Sequence, residues 1–228
     1  MNNSIEIVKK EVSQLLANED TGHGMNHINR VVNISYNIAE KEHANKELVI
    51  IIALLHDVDD YKLFGIEKSE KLNNANKILN KTNLRKKEKE MIISSIKSIG
   101  YSKRLEGIIP ENLEAKIVSD ADMIDSMGAI GILRTFQYNL KNNNTFFDRN
   151  KFPKLNMSAY EYKNMKDGTS VNHLFEKILK LKALMLTEFG KKEAEKRYNF
   201  IVEFLKEYFY EEHANEWLDY LDNYIKNN

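Results

Sequence analysis

Apolar residues recur at intervals of three and four from the start of the chain. Ile5, Val8, Val12 and Leu15 mark one face of a helix over residues 4–17. The same period predicts helices over 25–43, 46–57, 67–80, 86–98, 111–139, 171–189 and 191–211, with a short one near 214–226. Strict strand-like alternation is almost absent, and two prolines and nine glycines leave little to interrupt helical segments. The expected fold is all-α, a single domain of bundled helices spanning residues 1–228.

Two segments break the amphipathic pattern. From Leu48 to Leu55 every residue is Leu, Val, Ile or Ala, and the run ends in His56-Asp57, followed by Asp59 and Asp60. A buried strand ending in carboxylates is one reading of 48–57. Asn45 as a cap, with Lys46 and Glu47 in the first turn, favours a helix. The second is 140–170, with its asparagine run, Pro153, Gly168 and five aromatics: Phe146, Phe147, Phe152, Tyr160 and Tyr162. It is expected to be a lid or interface loop, packed over the domain or against the second subunit of a homodimer. Having few periodic apolar positions, it should add little to the helical core, leaving its aromatics to stack on a base or a partner.

The 228 residues can bury a sizeable core, and 42% hydrophobic with 30% charged residues is ordinary for a globular protein. Lys+Arg and Asp+Glu both number 34, so there is no global basic field to attract nucleic acid. Cysteine is absent, which excludes disulfides, thiolate metal sites and cysteine nucleophiles. No apolar run reaches the roughly 18 residues of a membrane span, and the N-terminus has no signal-peptide core. A cytoplasmic protein without a membrane partner is expected.

The buried run must end in a way that compensates its carboxylates, because an unpaired buried charge costs several kcal/mol. Six histidines are available: 23, 27, 43, 56, 173 and 213. His27 is in line with Val31, Ile34 and Ile38 at helical spacing, on the buried face. One such histidine is ordinarily a hydrogen-bonded core residue; two, with an adjoining aspartate, point to a metal. In SDADMIDSMGAIG, residues 119–131, Asp122 and Asp125 sit three apart on a face shared with Val118, Ala129 and Leu133. Asp120 and Asp125 read either as solvated or as orienting other ligands. Gly128, Ala129 and Gly131 leave a small surface for close helix approach.

Taken in order, GHGMNHINRV, ALLHDVDDYK and SDADMIDSMGAIGILRTF resemble the HD-domain metal-dependent phosphohydrolase superfamily. The segment NHLFEKILKLKALMLTEFGKKEAEKRYNFIVEFLKEY is similar to the C-terminal part of a compact bacterial subgroup, and the likeness covers roughly residues 20–210. HD alone is an uninformative dipeptide; four elements in order are specific. The resemblance implies an HD-type helical bundle, cytoplasmic, with the pattern H…HD…D at His27, His56-Asp57 and Asp122 as metal ligands. Two positions depart from the family's usual residues: Gly24 where Asp is common and Met123 where Arg is common.

Two imidazoles and two carboxylates suit Mn²⁺, Fe²⁺, Co²⁺, Ni²⁺ or Zn²⁺, with Mg²⁺ as a further candidate and Mn²⁺ preferred. Residues 58–121 contain no histidine, so one divalent ion is expected. Such an ion would activate water and polarise a phosphoryl group, and Asp60 is a candidate general base or a loop carboxylate. Cationic side chains to hold phosphates are Arg30, Lys62, Arg134, and the i, i+4, i+7 stripe of His173, Lys177 and Lys180. The stripe reads equally as a solvated face, with Glu176 pairing Lys180. His23 and Asp125 are expected behind the ligands, and His43 and His213 at the surface.

No P-loop, dinucleotide fingerprint, HExxH or GxSxG pattern competes. The expected function is hydrolysis of a phosphoester or phosphoanhydride of a small molecule, foremost a nucleotide, of the triphosphate pyrophosphatase or phosphatase type. The rival reading is an HD-fold nucleotide- or metal-binding module that has lost catalysis.

Overall fold

In the computed structural model of the protein, residues 2–17, 24–60, 71–158, 160–161 and 168–227 are described. They are helical, and among them there is no strand. The elements are α1 (Asn2–Leu15), α2 (Met25–Lys41), α3 (Lys46–Leu55), α4 (Asn73–Asn80), α5 (Lys86–Ser98), α6 (Tyr101–Leu105), α7 (Leu113–Asp125) and α8 (Gly128–Lys141). After them come α9 (Ser170–Glu176), a 3₁₀ segment (Ile178–Leu184), α10 (Glu188–Glu211) and α11 (Asn215–Asn227). The chain divides into two compact units, one of residues 1–125 with 186–190, the other of 126–185 with 191–228.

The first unit is built around α3. Asn45 caps it as its position suggests, its side chain accepting from the Leu48 amide at 3.2 Å. The unbroken apolar run follows from its neighbours: α3 packs against α1, α2, α5 and α7, so no side of it faces water. Val49, Ile51, Ile52, Ala53 and Leu55 are fully buried, each large side chain contributing about 1.5–3 kcal/mol. α2 makes its most extensive contacts with α7 and α3, and this three-helix junction holds the chemistry described below.

Buried carboxylates fasten two further helices here. Asp59, just past α3, accepts from the amides of Asn74 and Ala75 at 2.9 and 2.8 Å, satisfying the open N-terminus of α4. Asp120, fully buried on α7, holds the two residues that lead into α10. It takes bonds from the Leu186 amide, the Thr187 amide and the Thr187 hydroxyl at 2.7–3.1 Å. The fit leaves no room at Gly190, where an added Cβ would stand 2.4 Å from Asp120 Oδ2.

In the second unit the long predicted helix over 111–139 is broken. α7 ends at Asp125, and Gly128 opens α8 with φ of +70°, a left-handed conformation that no α-helix continues through. A Cβ at Gly131 would sit 2.1 Å from the Ser126 carbonyl oxygen, so the turn requires glycine there too. The break changes the grouping expected from a continuous helix: Asp125 is buried, whereas Ala129 and Leu133 are exposed. The helix predicted over 171–189 is interrupted as well. Lys177 leaves the α region at φ −130°, a tighter 3₁₀ segment follows, and Met185 is extended.

Residues 140–158 contribute more to packing than their pattern suggests. Phe152 stacks on Trp217 with centroids 4.5 Å apart, and Phe147 lies against Tyr208, Phe209 and Trp217. The Trp217 indole donates to the Arg149 carbonyl at 3.0 Å, and the amides of Ser170 and Val171 donate to the carbonyls of Thr145 and Phe146. Phe146 and Phe147, half-buried, and Phe152, 46% exposed, thus pack against the aromatic cluster of their own unit. Tyr160 is 77% exposed, and Tyr162 lies outside the described residues.

Replacing Asp120 by alanine leaves the two buried donors of Thr187 and the half-buried Leu186 amide without an acceptor. The expected loss is about 2–4 kcal/mol of stability, read as a lower urea midpoint. An unchanged midpoint would show that the α10 N-terminus is held without this carboxylate.

Candidate metal centre

Three helix segments bring the site together. His27 lies in the first turn of α2 and is 2% exposed, in register with the fully buried Val31 and Ile38. His56 and Asp57 begin the turn that ends α3. Asp122 and Asp125, one turn apart, come from the C-terminal end of α7.

The ring orientations follow from the outer nitrogens. His56 Nδ1 is 2.8 Å from the Ala53 carbonyl, which can only accept, so Nδ1 carries the proton. His27 Nδ1 is 2.7 Å from Asp125 Oδ2, again an acceptor. In both neutral rings the bare Nε2 therefore points inward, and the two nitrogens stand 3.3 Å apart. Asp57 Oδ2 is 3.4 Å from His27 Nε2, and Asp57 Oδ1 is 3.6 Å from His56 Nε2. Asp122 Oδ1 is 3.6 and 3.7 Å from the same two nitrogens.

With both rings neutral this is a ring of acceptors facing one another, an arrangement that a metal ion, or a proton on an imidazole, stabilises. The separations exceed hydrogen-bond lengths and match donor atoms about 2.1 Å from a shared centre. His27, His56 and Asp57 form a cluster able to hold a divalent metal, the only such cluster among the described residues. Proton affinities carry the same imprint. Burial presses the His56 imidazolium down, but Asp57 and Asp122 outweigh it and raise its pKa to about 10. For His27, burial also lowers the pKa, and the hydrogen bond to Asp125 with the nearby Asp57 carboxylate reverses the direction. Burial pushes Asp122 up, while the facing His56 imidazole and its charge hold it below the usual carboxylate range.

Asp125 is the support behind this ring. Its carboxylate, 1% exposed, takes His27 on one side and Arg30 on the other, with Nε at 2.6 Å and Nη2 at 3.1 Å. Such a carboxylate fixes the tautomer and aim of a ligand imidazole. Arg30, expected as a phosphate contact, is committed to this forked pair, with a third of its side chain exposed. The i, i+3 spacing of His27 and Arg30 on α2, and of Asp122 and Asp125 on α7, was the available signal.

The other candidates fall differently. Asp60 is half-buried at the end of the His56 turn, its amide donating to the Asp57 carbonyl. His23 and Lys62 lie outside the described residues. Arg134, His173, Lys177 and Lys180 belong to the second unit. The cationic stripe does not survive there as a helix face, because α9 ends at Glu176 and Lys180 sits in the 3₁₀ segment. Lys180 Nζ donates to the Leu155 carbonyl, and burial lowers its pKa despite the charge of Glu176. His43 and His213 each end a helix in the left-handed conformation, at φ of 55° and 51°.

Comparison with known proteins agrees with this architecture. The HD domain family model matches residues 24–127, from the residue capping α2 to the turn after α7. The YpgQ protein of Bacillus subtilis is 30% identical over 206 residues, covering 89% of this chain and 90% of that protein. A Lactobacillus plantarum protein of known structure is 31% identical with a TM-score of 0.81, covering 94% of this chain and 99% of that one. An HD-superfamily hydrolase from Bacillus thuringiensis is 29% identical with a TM-score of 0.70, over 93% and 98% of the two chains. The chain belongs to the HD-domain family. No helix among the described residues is long and apolar enough to cross a membrane.

Asp125→Asn keeps an acceptor for His27 but removes the charge that Arg30 and the imidazole share. Affinity for Mn²⁺, read by competition with a chelating dye, is expected to fall about 10–100-fold with the fold intact. Unaltered affinity would mean that packing alone aims His27.

Proposed function

We propose that this protein is a metal-dependent phosphohydrolase that cleaves a phosphoester or phosphoanhydride bond of a nucleotide. His27, His56, Asp57 and Asp122 would hold one divalent cation, Mn²⁺ foremost. The observation that carries this reading is the ring of inward-facing acceptors, two bare imidazole nitrogens and two carboxylates, with its own supporting carboxylate behind. Likeness to an HD-superfamily hydrolase supports the reaction class. The structure of B. subtilis YpgQ in complex with ADP supports a nucleotide; it is 26% identical with a TM-score of 0.67, over 92% of this chain and 95% of that one.

When bound, the cation supplies Lewis acidity, lowering the pKa of water and polarising a phosphoryl oxygen. The chain's own groups do the rest. Ala53 and Asp125 hold the two rings so that each Nε2 is fixed before any ligand arrives. Arg30 pairs with Asp125 and, through its exposed third, offers positive charge to a phosphate near the ring. Asp60, at the end of the turn that bears His56 and Asp57, is proposed as the acceptor of the attacking water's proton. Lys62, Arg134, His173 and Lys177 remain candidate phosphate contacts. Lys180 is a weaker one, given its bond to Leu155.

The rival, a binding module without turnover, draws little support from the two departures. Met123 is 3% exposed and packs in the core, so its identity does not alter the ring. Gly24 caps α2 through its carbonyl, which accepts from the amides of His27 and Ile28 at 2.9 and 3.2 Å. Neither change removes a ligand atom.

Nucleoside mono-, di- and triphosphates incubated with Mn²⁺, Co²⁺ or Mg²⁺ should release phosphate or pyrophosphate, and His56→Ala should abolish release. Metal bound without turnover of any of them would favour the binding module. Binding should also depend on pH in a defined direction. With its pKa at about 10, metal-free His56 is protonated at neutral pH, so the incoming cation must displace a proton. Affinity for Mn²⁺ should therefore rise about tenfold per pH unit near neutrality, and binding heats should vary with the buffer's ionisation enthalpy. Affinity independent of pH would contradict His56 as a ligand.

A further inference from the structure

Leu72 adopts a left-handed backbone, φ 47° and ψ 50°, immediately before α4. Among the described residues three other non-glycine positions have positive φ: His43, Asn143 and His213. Each of those stands two residues past the end of a helix, where a left-handed residue is an ordinary way to stop. Leu72 instead stands at a helix start, where an extended backbone is usual, and its apolar side chain makes no capping bond to offset the cost. Strain of this kind persists only where the surroundings hold it. Asn76 is one such hold, its side-chain amide donating to the Lys71 and Leu72 carbonyls at 3.2 and 2.8 Å.

The bend delivers the first residues of α4 to the turn that follows α3. The Asn74 and Ala75 amides reach the Asp59 carboxylate, and the Asn74 side chain donates to the Val58 carbonyl at 2.8 Å. Val58 is fully buried, and its carbonyl lies beyond α3, where the helix supplies no further amide to take it. We propose that Asn74 is a positioning residue of the metal centre. α3 ends at Leu55, so the turn and not the helix aims Asp57. That turn is closed on itself by the Asp60 amide, which donates to the Asp57 carbonyl at 3.1 Å. Asn74 fixes the plane of the peptide between Val58 and Asp59, and α4 amides fix the Asp59 side chain. The turn is thereby held between Asp57, a ligand, and Asp60, the acceptor of the water's proton. A group that orients a ligand from behind in this way tunes metal affinity without touching the metal. The assignment rests on Asp57 being a metal ligand, as proposed above, and adds a contact from outside the three helices that carry the ligands.

Mn²⁺ affinity of the full chain, read by dye competition, should fall about tenfold in Asn74→Ala and in Asn74→Asp. The aspartate is the sharper case: its charge alone would attract the cation, so a fall in affinity reports the lost donor. Asn74→Gln keeps an amide donor and should recover most of the affinity. Ile78→Val, on the buried side of the same helix, removes a methylene and should lower the urea midpoint about as much as a lost hydrogen bond does. Its Mn²⁺ affinity should stay at the wild-type value. The visible absorption of the Co²⁺-loaded protein, which reports ligand arrangement, should change in Asn74→Ala and not in Ile78→Val. Asn74→Ala with affinity and spectrum unchanged overturns the proposal, and so does Ile78→Val losing as much affinity. Should Asn74→Ala fail to fold, the contrast between Asn74→Asp and Asn74→Gln decides. A wild-type protein that takes up no Mn²⁺ or Co²⁺ overturns the metal reading itself, and this assignment with it.

Discussion

Asp125 carries a buried negative charge at the place where α2 meets α7, and the geometry around it follows from the need to compensate that charge. An isolated carboxylate so placed would cost several kcal/mol or take up a proton. Arg30 and His27, one turn apart on α2, approach it from one side, so a single carboxylate locks the rotation of α2 against α7. With His27 Nδ1 tied there, its Nε2 must face His56, Asp57 and Asp122. The same contact therefore sets the packing of two core helices and the aim of a ligand atom.

Similar logic separates four aspartates that look alike in sequence. DVD and DAD each place two carboxylates two residues apart, Asp57 with Asp59 and Asp120 with Asp122. At that spacing the side chains leave the backbone in different directions. In each pair one member faces the histidines and the other fastens the start of a helix, the first amides of α4 for Asp59 and the residues leading into α10 for Asp120. Burial raises the pKa of both helix-fastening carboxylates, and amide donors pull against it. Their donors are backbone amides and a hydroxyl, so their demand is met within the protein. The inward pair meets bare nitrogens, and its demand is left for a cation.

Much of this was legible in the chain because it rests on period and residue chemistry. The three-and-four spacing marked the helices, Asn45 marked the start of α3, and the unbroken run of 48–55 required a helix surrounded on every side. His27 on an apolar face, next to an HD pair ending a buried run, announced a ligand set before any distance was known. Less visible were features that depend on what stands opposite. Phe146, Phe147 and Phe152 lack helical spacing, yet each packs against Trp217 or Tyr208. Arg30 reads as a phosphate contact until Asp125 is placed against it.

Helical period and side-chain chemistry, which the sequence contains, determined the all-α class, most of the helix positions and the identity of the clustered His and Asp residues. Tertiary structure decided where long helices break, because Gly128 permits a positive φ without requiring one. It also decided which aspartate faces the metal centre and which fastens a helix. Both faces of α7 are buried, and burial alone does not distinguish them. The donors that do lie 15 to 67 residues from their acceptors along the chain, and only folding brings them within hydrogen-bonding reach.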